Sequence, residues 1–393
     1  MISVEEALAN ILALGAPVGA ETAALRHAAG RVLAAPLAAR LSQPPFAASA
    51  MDGYAIMDAD HHAGRVLQVV AEAGAGHAFG GQVAPGQAVR IFTGAPVPAG
   101  ADRVVLQEDC RRDGEQITLG DRLEAARHIR PLGQDFRLGD QMAAPRRLRP
   151  ADLALIAAMN HASVPVIRRP VVAIMATGDE LVQPGEVPRP DQIIASNGFA
   201  LAALAEVAGA EVRLLPIARD TADSLRLGFS LAEGADVIVT IGGASVGDHD
   251  LVGAVARDMG FEQAFWKVAM RPGKPLMAGR LGGAILLGLP GNPVSAIVCA
   301  HLFLLPLLAH LQGMPGGHDV RKARLSVPLA ANGPRTHYMR ARLTPGDDGP
   351  TIAPMDQQDS ALLSILTKAD ALLIRPLGDG PVAAGETVEY LPI

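Results

Sequence analysis

The chain has 393 residues, of which 49% are hydrophobic and only 3% aromatic, and it carries a formal net charge of -6. That length exceeds a single core and calls for about two to four domains. An acidic chain with few aromatics lacks the basic face and stacking rings of a nucleic-acid binder, so any anion site must be local. Cys110 and Cys299 lie far apart with no metal-ligand neighbours. This excludes a disulfide scaffold and a zinc module and fits a reduced, cytoplasmic protein.

The N-terminus, Met1-Ile2-Ser3-Val4-Glu5-Glu6, has neither the basic start nor the apolar run of a signal peptide. Ser3 and Glu6 form a capping-box pattern. Apolar residues at helical spacing predict helices over 2–14 and 22–35. The segment Leu41-Ser42-Gln43-Pro44-Pro45-Phe46 breaks that pattern. Short β-like runs follow at 66–70, 87–92, 103–106 and 116–119, separated by Gly/Pro turns. Helical text returns over 150–160. The reading is a discontinuous helical linker domain, 1–44 and 134–168, around a β-rich insertion, 45–133.

After Arg168-Arg169-Pro170, continuous apolar strands at 171–176, 211–217 and 236–241 alternate with helices at 197–209, 221–233 and 249–259. This predicts a parallel, doubly wound α/β domain over 169–314. The run 284–289 ends in Leu289-Pro290-Gly291-Asn292-Pro293-Val294-Ser295, with Asn292 expected as N-cap and Pro293 at the first helical position. The apolar stretch 294–311 contains His301, Pro306 and His310 and starts at a turn. It is expected to be a core or subunit-interface helix, not a membrane span. Alternating apolar and polar residues over 318–393 predict a small all-β domain.

The strand ends carry the distinctive chemistry. They read Thr177-Gly178-Asp179-Glu180-Leu181, then Ala218-Arg219-Asp220, then Gly242-Gly243-Ala244-Ser245-Val246-Gly247-Asp248-His249-Asp250. In a doubly wound sheet these ends share one rim. Glu180, Asp220 and Asp250 would converge there on a cation, and beside a phosphate pocket the natural one is Mg²⁺. The glycines allow backbone amides to approach an anion, and Ser245 adds a hydroxyl. Lys267, Arg271 and Lys274 lie close in sequence to the helix N-terminus after Pro290, which suggests an oxyanion pocket. Blander readings stand beside these. Asp220 fits a helix cap, Glu180 and Asp250 fit solvated loop acids, and the cations fit incidental surface charge. In the insertion, Ser49-Ala50-Met51-Asp52-Gly53-Tyr54-Ala55, Ile91-Phe92-Thr93-Gly94-Ala95-Pro96 and Arg130-Pro131-Leu132-Gly133-Gln134-Asp135 are equally explained by hairpin and linker geometry. The histidines show no metal-ligand spacing, and Ser295 follows no nucleophile elbow.

Taken together, the segments Ser49–Ala55, Thr93–Pro96, Thr177–Leu181, Gly242–Asp250, Lys267–Pro275 and Leu289–Ser295 resemble, in order, the molybdopterin molybdotransferase family, whose members include MoeA and the C-terminal domain of gephyrin. The resemblance runs the length of the chain. It implies that 169–314 is a molybdopterin-binding domain and 318–393 a C-terminal β-barrel. It also implies a homodimer with the active site shared between subunits, and transient contact with a molybdopterin adenylyltransferase or acceptor molybdoenzymes. The implied reaction is Mg²⁺-assisted insertion of molybdate into adenylylated molybdopterin, with release of AMP. The catalytic set it implies is Asp52, Thr93, Asp135, Glu180, Asp220, Asp250, Lys267 and Arg271, with Glu180, Asp220 and Asp250 at the metal. Thr177, Gly178, Gly242, Gly243, Ser245, Gly247, Lys274, Pro290, Gly291, Asn292, Pro293 and Ser295 would bind the substrates. Two positions depart from the family pattern: Arg271, where Lys is common, and Leu251, where an aromatic is favoured. The alternatives are an adenylyltransferase-like enzyme, which would lack the β-insertion, and a non-catalytic binding or scaffold paralogue.

Overall fold

The computed structural model describes residues 1–243 and 251–393. Its central sheet has six strands. Glu211–Leu214, Val171–Ala176, Val237–Ile241 and Ala284–Leu289 run parallel in that spatial order, followed by Met277–Leu281 and Phe261–Trp266. Val237–Ile241 and Ala284–Leu289 are buried along their whole length, as expected of strands covered on both faces. The last two strands correct the all-parallel expectation, because both are antiparallel to their neighbours. The cause is local: Leu281 pairs with Ala284 across Gly282-Gly283, and a two-residue glycine hairpin can only reverse the chain.

Helices Asn197–Val207, Ala222–Leu231 and Leu251–Asp258 alternate with the parallel strands, close to the predicted spans. The 19-residue helix Pro293–Leu311 is apolar enough to cross a membrane by length and composition, but most of it is buried in the protein. It packs with Val4, Ala7 and Ile11 of the first helix, Val4–Ala13, in the largest core cluster. That first helix has the predicted capping box: Ser3 Oγ accepts from the Glu6 amide at 3.1 Å, and Glu6 accepts from the Ser3 amide at 2.8 Å. Midway, the long helix widens into a π-helical turn over Ala300–Leu304. Pro306 has no N–H for the Leu302 carbonyl and would crowd it in a regular helix. The imidazole Nε2 of His318 donates to that carbonyl instead, at 2.8 Å.

The expected helix over 22–35 is absent. Ala20–Ala24 is a strand, Leu25–His27 a short 3₁₀ turn and Val32–Leu33 a second strand. Ala20–Ala24 pairs along its length with Ser163–Ile167, so the two chain segments flanking the insertion do meet, but as a sheet. The alanines favour helix locally, and the β-branched partner at 163–167 overrides that weak preference. Helix Pro150–Ala158 completes this region.

The insertion is a six-stranded sheet that includes the four predicted strands and adds Gly53–Ile56 and Cys110–Asp113. At the C-terminal end, Thr336–Thr344 pairs with both Thr351–Pro354 and Ala371–Arg375, which closes a five-stranded barrel. Met270–Arg271 adds to this barrel beside Thr336 and His337 and so ties it to the α/β region.

Burial pushes the His301 imidazole in the long helix down to a pKa of about 4, from 6.5. As pH falls below 6.5 the unfolded chain takes up a proton there that the native state refuses until about 4, so stability is lost across that window. A His301→Leu variant is expected to lose less Tm than the parent between about pH 7 and about pH 4.5. Equal losses would assign the acid sensitivity to other groups.

Candidate active site

A cavity of about 1010 Å³ opens at the carboxyl ends of the parallel strands. Thr177, Gly178, Glu180, Asp220, Gly242 and Gly243 line it from three strand ends. Pro290, Gly291, Asn292 and Pro293 close it from the fourth. Ser245, Gly247 and Asp250 lie outside the described residues. Ser295 is buried in the helix, at 4% exposure, and does not line the cavity. Nor do Lys267, Arg271 or Lys274, although Pro275, next to Lys274, does. Leu251, one of the two departures from the family pattern, is part of the wall.

Several backbone details place the two described acids. Thr221, not Asp220, caps the following helix, with its hydroxyl accepting from the Ser224 amide at 3.3 Å. Asp220 is thus released from the capping role, and its own amide donates to Asp179 Oδ1 at 3.1 Å. Arg219, which the sequence reading passed over, donates to the carbonyls of Gly178, Asp179 and Leu181 at 3.4, 3.2 and 2.9 Å. One guanidinium therefore pins the turn that carries Glu180. Gly178 has φ +147, and a β-carbon there would run into the Glu180 carboxylate.

The turn after Leu289 departs from expectation at Asn292. Its backbone is extended and Pro293 opens the helix, but the Asn292 side chain makes no capping bond. Asn292 Nδ2 donates instead to Ser360 Oγ at 3.2 Å, and the Val294 amide donates to the Ser360 carbonyl at 3.1 Å. The barrel thus satisfies the helix start from outside. Arg340, only 2% exposed, holds the barrel segment in place by donating to Gln358 Oε1 and to the carbonyls of Gln357 and Asp359. Ala361, two residues on from Asp359, reaches the cavity wall. Asn197 Nδ2 donates to the Gly291 carbonyl at 2.7 Å and fixes the turn from the other side. The side chains of Asn197, Ser360 and Arg340 carry no local pattern that would have exposed them in sequence.

In the insertion, Asp52 and Thr93 meet. Asp52 Oδ1 accepts from both the amide and the hydroxyl of Thr93, each at 2.7 Å. These two bonds, with Arg90 nearby, hold the Asp52 carboxyl below its ordinary range, so it stays ionised. Arg90 lies over the rings of Tyr54 and Phe92 and donates to the Gly53 carbonyl and to Gln107. The neighbouring Ser49 and Ala48 pair with Ile129 and Arg130. The Gly94 amide donates to the Ser49 carbonyl at 2.9 Å, so three motifs of the insertion are knitted together. Asp135 is exposed and held through its amide to the Gln43 carbonyl at 3.0 Å, outside this knot. None of Asp52, Thr93 and Asp135 lines the cavity of Glu180 within the chain.

No group of three His, Cys, Asp or Glu side chains among the described residues is placed to hold a metal ion. Glu180 and Asp220 on one cavity nevertheless suit Mg²⁺, which is commonly bound by one or two carboxylates together with substrate phosphates and water.

Family models match three successive segments of the chain. Residues 2–160 match "MoeA N-terminal region (domain I and II)", 173–310 match "Probable molybdopterin binding domain", and 322–393 match "MoeA C-terminal region (domain IV)". A molybdopterin molybdenumtransferase of Nostoc is 36% identical over 377 residues, covering 93% of this chain and 86% of that protein. The chain belongs to the MoeA family. A second relative, the molybdopterin molybdenumtransferase of Haemophilus influenzae, is 34% identical and covers 100% of this chain and 98% of its own. The crystal structure of a molybdopterin biosynthesis MoeA protein from Pyrococcus horikoshii superposes with a TM-score of 0.86 at 29% identity, covering 100% of this chain and 99% of that one.

In this MoeA-family chain, Gly178→Ala is expected to leave the fold intact and to displace Glu180. A shift near 1 Å at a catalytic group costs on the order of 100-fold in rate. Unchanged molybdenum-insertion kinetics in a folded Gly178→Ala protein would remove Glu180 from the site.

Proposed function

We propose that this chain inserts molybdate into adenylylated molybdopterin, releasing AMP and yielding the molybdenum cofactor. The observation that carries this reading is the cavity at the strand ends. It combines two carboxylates, Glu180 and Asp220, with the glycine-rich turns at Gly242-Gly243 and Pro290-Gly291. The relatives named molybdopterin molybdenumtransferase, aligned along nearly the whole chain, support the same assignment.

The chemistry needs no protein nucleophile, because the dithiolene sulfurs of the substrate attack the molybdenum centre. The protein's share is positioning and charge. Thr177, Gly178, Gly242 and Gly243 form the floor for the phosphate-bearing part of the substrate. The segment Lys267–Pro275 meets the cavity wall at Pro275, and from beside that wall Lys267, Arg271 and Lys274 would supply positive charge for the tetrahedral oxyanion, Arg271 with a planar fork where a Lys would offer a point charge. Glu180 and Asp220 would hold Mg²⁺. Bound there, Mg²⁺ would neutralise charge on the pyrophosphate as AMP leaves.

Asp52 and Thr93 act from the partner subunit of a homodimer. Their ionised, pre-ordered pair lies away from the Glu180 cavity of its own chain, which supports a shared site. The assembly makes transient contact with the adenylyltransferase that supplies the substrate or with the apoenzymes that accept the product.

The deciding experiment incubates the purified protein with adenylylated molybdopterin, Mg²⁺ and molybdate and follows AMP. Molybdate-dependent AMP release with active cofactor is the expected result. Substrate binding without AMP release would instead support a binding paralogue. Asp52→Ala and Glu180→Ala should each reduce insertion while leaving the dimer folded. Mixed dimers of the two variants should recover part of the activity through one intact site, and confirmed hybrids without recovery would sink the shared site.

A further inference from the structure

The three cation–π contacts among the described residues fall on two cations, Arg90 and Lys267. By contrast Arg31, Arg103, Arg146, Arg168 and Arg375 each sit in an ion pair with a carboxylate. The difference matters for anion binding. A carboxylate fixes a cation by cancelling its charge. An aromatic face fixes it through the ring quadrupole and adds no net charge, so the full positive charge remains available.

Lys267 Nζ stands 4.1 Å from the centroid of the Trp266 ring. Lys267 also has φ +73, the left-handed region that side chains with a β-carbon rarely occupy. Its amide donates to the Leu276 carbonyl at 2.9 Å, which ties that conformation to the neighbouring strand. Trp266 is anchored in turn. It is half-buried, pairs in register with Met277, and packs on the cluster of Val252, Phe261 and Met277. Leu251, which lines the cavity, packs on the same cluster. The indole is therefore part of the rigid frame on which the cavity wall is built.

We propose that Trp266 is a positioning residue whose indole face holds the Lys267 ammonium in place, without neutralising it, for the oxyanion substrate. This rests on the reading that Lys267 binds molybdate. Removing the ring frees the lysine chain to sample other rotamers and weakens oxyanion binding. It does so through the effective molybdate concentration required, not through the rate at saturating molybdate.

The test uses the full-length protein and molybdate as the titrant. Trp266 is the one tryptophan in the chain, so intrinsic fluorescence reports this ring alone. In the parent, molybdate is expected to change the indole emission as the anion binds the ammonium held on the ring. Trp266→Leu should raise the molybdate concentration giving half-maximal AMP release by roughly three- to tenfold, with the saturating rate little changed. Trp266→Phe keeps an aromatic face and should restore most of the loss. It also separates loss of the ring from loss of packing. Lys267→Met distinguishes the two levels of the argument. If Lys267→Met and the parent share one half-saturation value, the oxyanion role of Lys267 and the proposal fall together. If Lys267→Met is impaired while Trp266→Leu behaves as the parent, or Trp266→Phe fails to recover over Trp266→Leu, the positioning role alone is overturned.

Discussion

The parallel pairing of Val237–Ile241 with Ala284–Leu289 is the constraint on which the rest of the molecule depends. Both strands are buried from end to end. Truncating one of their large side chains would cost about 2–5 kcal/mol by loss of transfer energy and creation of a cavity. The pairing runs until Ile241 faces Leu289 and then stops for both strands at once. The two glycine turns, Gly242-Gly243 and Pro290-Gly291, therefore emerge side by side. With the end of Val171–Ala176 in register on the other flank, the cavity is a direct consequence of where two hydrogen-bond ladders finish.

Around that frame, arginines do the work of cross-links. Arg219 binds three carbonyls of the Glu180 turn, and Arg340 gathers the barrel segment that reaches Asn292. Arg90 bridges Gly53, Gln107 and two rings behind Asp52. A guanidinium suits this task because its donors lie in a rigid planar fork and it keeps its charge at any working pH. Each of these residues sits one step behind a group expected to touch substrate. The order of the site thus comes from backbone carbonyls held by fixed cations more than from bonds among the acids themselves.

Much of the α/β region was legible in the chain itself. Strands 171–176, 236–241 and 284–289 are largely apolar runs, and their Gly-rich ends announce ligand-facing turns. The insertion strands 103–106 and 116–119 were equally plain. The segment 22–35 was not, because its alanines are compatible with helix and the deciding partner lies some 140 residues further on, at Ser163–Ile167. Asn292 was misleading for a related reason. It has the residue type, the backbone and the following proline of an N-cap, yet its side chain turns to Ser360, which belongs to the barrel.

By itself the sequence determined the class of the fold, the ordered motifs of the MoeA family and the residue types of the site. These are encoded in local patterns: strand hydrophobicity, glycine at tight turns, acids and cations beside them. Tertiary structure alone decided which of those groups meet. It put Glu180 and Asp220 on one cavity and Asp52 against Thr93 elsewhere, and it brought Asn197 to Gly291 and Ser360 to Asn292 at the turn that closes the cavity. Such meetings depend on ladder registers and on packing between segments far apart in the chain, 41 residues for Asp52 and Thr93 and 94 for Asn197 and Gly291, and no local spacing records them.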